Sequence, residues 1–151
     1  MSDPVYFEDL HTGLCFTSDP VTVTAGQIKA FAAQFDPQPF HLDEAAGEAS
    51  FFNGFAASGW HTASLAMRMM VESGPNLAKG WIGAGGDIAW KKPVYAGDTL
   101  TLRGEIIELK PSRSRPERGI ALVRCETSNQ HGELVQILNA NVVVWRRPTG
   151  D

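Results

Sequence analysis

The segment Asp36-Pro37-Gln38-Pro39-Phe40-His41 sets a carboxylate and an imidazole five positions apart, with two prolines between them. A proline-stiffened segment loses little further entropy when it holds two side chains in fixed relation. A carboxylate and an imidazole held close can divide general base and general acid work, as hydration of an alkene conjugated to a carbonyl requires. The spacing has a plainer use as well: Asp36 as a residue that ends a helix, and His41 as a partly exposed hydrogen-bonding group. Gly59 is the second feature. It precedes a long apolar run that reads as a helix, and helix N-termini present free N–H groups with a positive partial charge. A glycine there lets a substrate carbonyl approach the backbone, where a developing enolate oxygen would be stabilised. Its plainer reading, with Gly54, is a tight turn.

Elements around these residues must position them. Thr17 to Val23 is strand-like, with Pro20 at an edge or bend. Thr24 opens a helix, and its spacing to Gln27 forms a capping box. Ile28, Phe31, Ala32 and Phe35 then share one helical face. The two prolines predict a loop over residues 36–41, because each removes a donor and disfavours helical geometry before it. A short helix follows from about Asp43 to Glu48. A second long helix is expected from Trp60 to about Glu72, ended by Gly74-Pro75-Asn76, with Ser58 or Gly59 as N-cap. Its Ala63, Leu65, Ala66, Met67, Met69, Met70 and Val71 are spread nearly all round, which predicts an enclosed helix.

The remainder reads as β: Trp81 to Trp90, Thr99 to Leu109 with a bulge at Gly104, Ile120 to Thr127, and Leu134 to Trp145. A polar loop rich in arginine runs from Pro111 to Gly119, and Asn129-Gln130-His131-Gly132 closes a hairpin. Long antiparallel strands need a covered face. The expected fold is therefore α+β, an antiparallel sheet of about five strands wrapped around one buried central helix.

The chain has 151 residues, 43% hydrophobic and 20% charged, which suits one packed domain over 1–151. A formal net charge of −4 argues against a nucleic-acid partner. Ala49 to Met67 carries no charge, but Ser50, Asn53, Gly54, Ser58, Gly59, His61, Thr62 and Ser64 interrupt it too often for a membrane span. The first residues lack a basic and apolar leader. A cytoplasmic protein is expected, with Cys15 and Cys125 as buried free thiols. No metal-ligand spacing and no GxxxxGK[ST] loop is present.

The segment Asp36-Pro37-Gln38-Pro39-Phe40-His41-Leu42-Asp43 resembles the D-x-N-P-x-H-x-D signature of the MaoC-like, (R)-specific enoyl-CoA hydratase family. Asn53 to Thr62 stands where that family places the glycine heading its central hot-dog helix. Lys92-Pro93-Val94-Tyr95-Ala96-Gly97-Asp98 is similar to the family's K-P-V-x-x-G-D. The three blocks follow in the family's order. The resemblance implies a hot-dog fold, Asp36 and His41 as the catalytic pair, and the Gly59 N–H as oxyanion donor. It implies a 2-enoyl thioester as substrate, a 3-hydroxyacyl thioester of (R) configuration as product, and acyl-coenzyme A or acyl carrier protein as carrier, with no other cofactor. It also implies a homodimer or a higher assembly of dimers.

Two positions depart from the family pattern. Gln38 replaces its asparagine, one methylene longer, and Ser58 replaces the histidine before the helix glycine. Gln38, Ser58, Trp60 and His61 are accordingly expected around the substrate, with His61 a spatial replacement for that histidine or a packing residue. Arg113, Arg115 and Arg118, or Lys91 and Lys92, are candidates for coenzyme A phosphates or else solvated charges. Two other functions fit a hot-dog fold. One is a thioesterase, which commonly places a carboxylate on or beside the central helix, and the lack of an acid on that helix before Glu72 counts against it. The other is a non-catalytic subunit of a two-component dehydratase, against which the retained Asp36 and His41 both count.

Overall fold

A computed structural model describes residues 2–149. Its frame is a six-stranded antiparallel sheet, formed by β1 (Cys15–Thr17), β2 (Val21–Thr22), β3 (Ile82–Trp90), β4 (Thr99–Pro111), β5 (Arg118–Ser128) and β6 (Leu134–Trp145). The order across the sheet is β1-β4-β5-β6-β3, and β2 also pairs with β4. Along β5 buried and half-buried residues alternate without a break, as expected where one face of a pleated strand meets the core. Ala121, Val123 and Cys125 from β5 join Leu100, Leu102 and Ile106 from β4 in that core.

The helices are α1 (Ala25–Phe35), α2 (Pro39–Leu42), α3 (Glu44–Glu48) and α4 (Gly59–Ser73). Thr24 and Gln27 form both bonds of the capping box, at 3.2 and 3.0 Å. The concave face of the sheet receives α4 through Ala66, Met69 and Met70, all buried. This is the hot-dog arrangement.

Several expectations need correction. The sheet has six strands where about five were expected, because the segment around Pro20 divides into β1 and β2, with Ser18 between them still bonded to Leu102 of β4. Residues 36–41 are not all loop: Pro39 is the first residue of α2, where its missing N–H costs the helix nothing. The β4 irregularity lies between Ile106 and Glu108 and not at Gly104. Gly104 is needed for another reason, since a Cβ there would lie 2.2 Å from the Phe16 ring. The α4 helix is not enclosed. Trp60, Met67 and Val71 remain 59%, 40% and 53% exposed. Cys125 is buried, and burial pushes its thiol up to about 12, but Cys15 is exposed because β1 is an edge strand. Neither cysteine is in a disulfide.

Candidate active site

Asp36 is the C-cap of α1, its N–H donating to the Ala32 carbonyl at 2.9 Å. Two residues on, Gln38 starts the turn into α2, which delivers His41 into the interior at 3% exposure. His41 Nδ1 lies 2.7 Å from the Ala56 carbonyl oxygen. An acceptor there means that Nδ1 carries a hydrogen, which leaves Nε2 as the ring nitrogen turned to the other side. Nε2 is 3.4 Å from Asp36 Oδ2. The Phe40 and Phe52 rings flank the imidazole at 4.6 and 5.7 Å.

The Ala56 carbonyl is itself fixed. Ala57 N–H donates to Val94 at 2.8 Å and Ala96 N–H to Phe55 at 3.0 Å, while Ala56 bridges Tyr95. The sequence blocks around Gly59 and around Lys92-Pro93-Val94 thus act on one another: the second straps the approach to α4 in place.

Burial of the Asp36 carboxyl works to raise its pKa. Hydrogen bonds from Gln38 and Ser58 and the nearby His41 outweigh that and hold it below the ordinary 3.8. Gln38 Nε2 donates to Asp36 Oδ1 at 2.5 Å. The residue one methylene longer than the family pattern therefore orients the carboxylate from outside the cleft.

Ser58 is the N-cap of α4, accepting from Trp60 N–H at 3.3 Å. Gly59 is the first helical residue, so its N–H has no acceptor within the helix. Asp36, His41, Phe51, Phe52, Ser58 and Gly59 all line one cleft of about 460 Å³, with Trp60, Thr62, Trp90, Lys91, Lys92 and Val94 on its other sides. The structure brings Asp36, His41, Ser58, Gly59 and Trp60 together around that one cleft.

His61 is not among the lining residues. It is buried against Phe31, rings stacked at 4.8 Å and 7°, because its position on α4 turns it toward α1. Arg113, Arg115 and Arg118 lie at the far end of the sheet. Trp90 pairs with Gln136 at one end of the β3–β6 ladder, whereas Arg118 pairs with Trp145 beyond its other end. That separates them by roughly 30 Å of strand. Lys91 and Lys92 are the cations beside the cleft, and Lys92 is paired with Glu133. Sequence reasoning missed Trp90, Phe51, Phe52 and Thr62. Only the aromatic pair at 51–52 and the Trp-Lys-Lys-Pro run carried any signal for them. Among the described residues no group of three or more His, Cys, Asp or Glu is placed to hold a metal, and no helix is long and apolar enough to cross a membrane.

A hot-dog sheet packed on one central helix is a fold shared with solved proteins. A structure of a MaoC-like dehydratase from Rhodospirillum rubrum superimposes with a TM-score of 0.92 at 50% identity, covering 96% of this chain and 99% of that one. The (R)-hydratase from A. caviae involved in PHA biosynthesis gives a TM-score of 0.73 at 28% identity, covering 93% of this chain and 99% of that one. The uncharacterized protein YdeM of Bacillus subtilis (strain 168) is 32% identical over 126 residues, 82% of this chain and 86% of that protein. The family model described as MaoC like domain matches residues 12–127, and the chain belongs to that family.

Proposed function

We propose that the protein adds water to, or removes it from, a 2-enoyl thioester. The carrying observation is the Asp36–His41 geometry. The Asp36 carboxyl and the His41 Nε2 face each other at 3.4 Å inside a cleft that also contains the first residue of α4. A water in the cleft beside Oδ2 and Nε2, hydrogen-bonded to the pair, gives a proton to one of them as its oxygen bonds to the β-carbon. A proton from the pair then reaches the α-carbon, closing the balance at one water added. The Gly59 N–H holds the thioester oxygen while charge collects on it. Membership of the MaoC-like family and the likeness to a dehydratase and an (R)-hydratase support this reading, with an (R)-3-hydroxyacyl thioester as product. The carrier is coenzyme A or acyl carrier protein, with Lys91 and Lys92 the cations nearest the cleft. No redox step is involved, so no further cofactor is needed.

The thioesterase alternative finds no acid on the helix near the cleft. Glu72 is the first carboxylate on α4, a helix length from Gly59 and paired with Arg68. Crotonyl-CoA separates the readings. Loss of enoyl absorbance without free thiol is expected; release of free thiol, or no reaction at all, would overturn the proposal.

We also propose a homodimer through β3. That strand is at the sheet edge with its other side unpaired, and exposed Trp60, Met67 and Val71 stand on α4. An open edge beside an apolar helix face invites pairing. Light scattering at micromolar concentration should give twice the chain mass, and a monomer would count against it.

A further inference from the structure

Gln136, near the start of β6, has no exposed surface. The sheet register pairs Trp90 with Gln136 and Gln136 with Thr127. Residues paired across a sheet share a face, so these three side chains form one row. Within it, Trp90 Nε1 donates to Gln136 Oε1 at 2.9 Å. Gln136 Nε2 and Thr127 Oγ1 have no protein partner. A buried carboxamide with unmet donors costs stability that a leucine of similar volume would not. Packing alone therefore does not account for a glutamine here.

The other side of the same tryptophan meets the site. A Cβ placed on Gly59 would lie 2.6 Å from Trp90 Cε2 and 2.9 Å from both Cδ2 and Cζ2. The indole thus lies against the backbone of Gly59, and its edge meets Trp60 at 5.2 Å and 84°. It is held between Gly59 on one side and Gln136 on the other, and it lines the cleft while Gln136 does not.

We infer that Gln136 is a positioning residue for the reaction. By gripping the indole N–H it locks Trp90 against Gly59, and so fixes the space in which a thioester carbonyl must lie to reach the Gly59 N–H. This rests on the reading of Gly59 as oxyanion donor. A carbonyl held loosely still binds, but it spends less time in reach of both the donor and the Asp36–His41 pair. Loss of the grip therefore lowers turnover more than affinity.

Gln136→Leu, Trp90→Phe and the double variant test this, with Asp36→Asn as reference. Each is measured by crotonyl-CoA hydration and by thermal unfolding. Gln136→Leu should unfold at or above the wild-type temperature, yet lose about 3- to 30-fold in kcat with KM within about twofold, the scale of one hydrogen bond plus misplacement. Trp90→Phe keeps an aromatic wall but loses the N–H, and should fall similarly. The double variant should be no worse than the poorer single, because both remove one interaction. Wild-type kcat in Gln136→Leu, a lowered unfolding temperature in that variant, or multiplying losses in the double would each overturn the inference. If Asp36→Asn is inactive while Gln136→Leu turns over normally, only this inference falls. An active Asp36→Asn, or a wild type inert toward crotonyl-CoA, removes the functional reading and this inference with it.

Discussion

The two ends of the sheet carry similar residues to opposite effect. At the cleft end, Lys91 and Lys92 accompany Trp60 and Trp90. At the far end, Lys79 lies over the Trp145 ring at 4.0 Å, Arg118 over the same ring at 5.7 Å, and Arg146 over Phe7 at 5.4 Å. Cations and aromatics alone do not distinguish them. What differs is enclosure. The cleft end has a backbone strap at residues 55–57, a histidine buried to 3%, and a helix N-terminus with an unused donor. The far end has solvated guanidinium groups lying on ring faces, where each contributes modestly. Charge density marks a surface, whereas chemistry needs groups whose freedom has been removed.

The largest effect that should separate the ends is on turnover. Asp36→Asn and His41→Ala should each lose ~10²–10⁴ in kcat, whereas Arg113, Arg115 and Arg118 changed together to alanine should alter it less than about twofold. Equal losses at both ends in a crotonyl-CoA assay would erase the distinction.

Gly59 comes next. Alanine and proline both put a Cβ against Trp90, so the difference between the two variants isolates the N–H. Proline is tolerated at the first helical position. It should depress kcat by a further ~10²–10³ relative to alanine. Equal kcat for folded Gly59→Pro and Gly59→Ala would leave Gly59 a turn residue.

A smaller effect concerns protonation. Gln38→Met removes a bond that favours the charged Asp36 carboxylate, so its pKa should rise. The acid limb of the kcat/KM profile should then move to higher pH, while kcat at pH 8 changes little. An unmoved limb would detach Gln38 from the carboxylate.

The smallest effect is on stability. Burial lowers the pKa of His61 from its ordinary 6.5, and its Nδ1 has no partner. The unfolded chain then binds a proton there that the folded chain resists. Stability is fully present above about pH 6.5 and declines as pH falls from there toward the lowered folded value. His61→Phe should flatten that part of a denaturation series, and an unchanged slope would place its cause elsewhere.

Much of this was readable from residues. The capping box at Thr24 and Gln27, the helix expected from Trp60 and the long hairpin of β5 and β6 follow from local pattern, whereas the spacing of Asp36 and His41 left two readings open and the family resemblance alone made them a pair. What was hidden depends on register. Nothing in the order of residues says that the arginines after Pro111 stand a strand's length from the cleft, because that follows from how β5 and β6 align. Trp90 was unreadable for the same reason: strand alternation gives its face, not its neighbour at Gly59. Pro39 misled because proline, which breaks the interior of a helix, is favoured at the first position of one. The α4 helix looked enclosed because an apolar side chain reads alike whether its own sheet covers it or nothing within the chain does.

The strand order also turns Cys15 into a ruler. Its exposed thiol stands on β1, at the opposite edge of the sheet from β3, while Cys125 is sealed in the core. A spin label directed at thiols would therefore attach once per chain. If two copies join through β3, the labels stand at the two outer margins of a doubled sheet, at most roughly 45 Å apart at ~4.8 Å per strand. Joined through β1 they would stand within about 10 Å. One dipolar spectrum would read the difference.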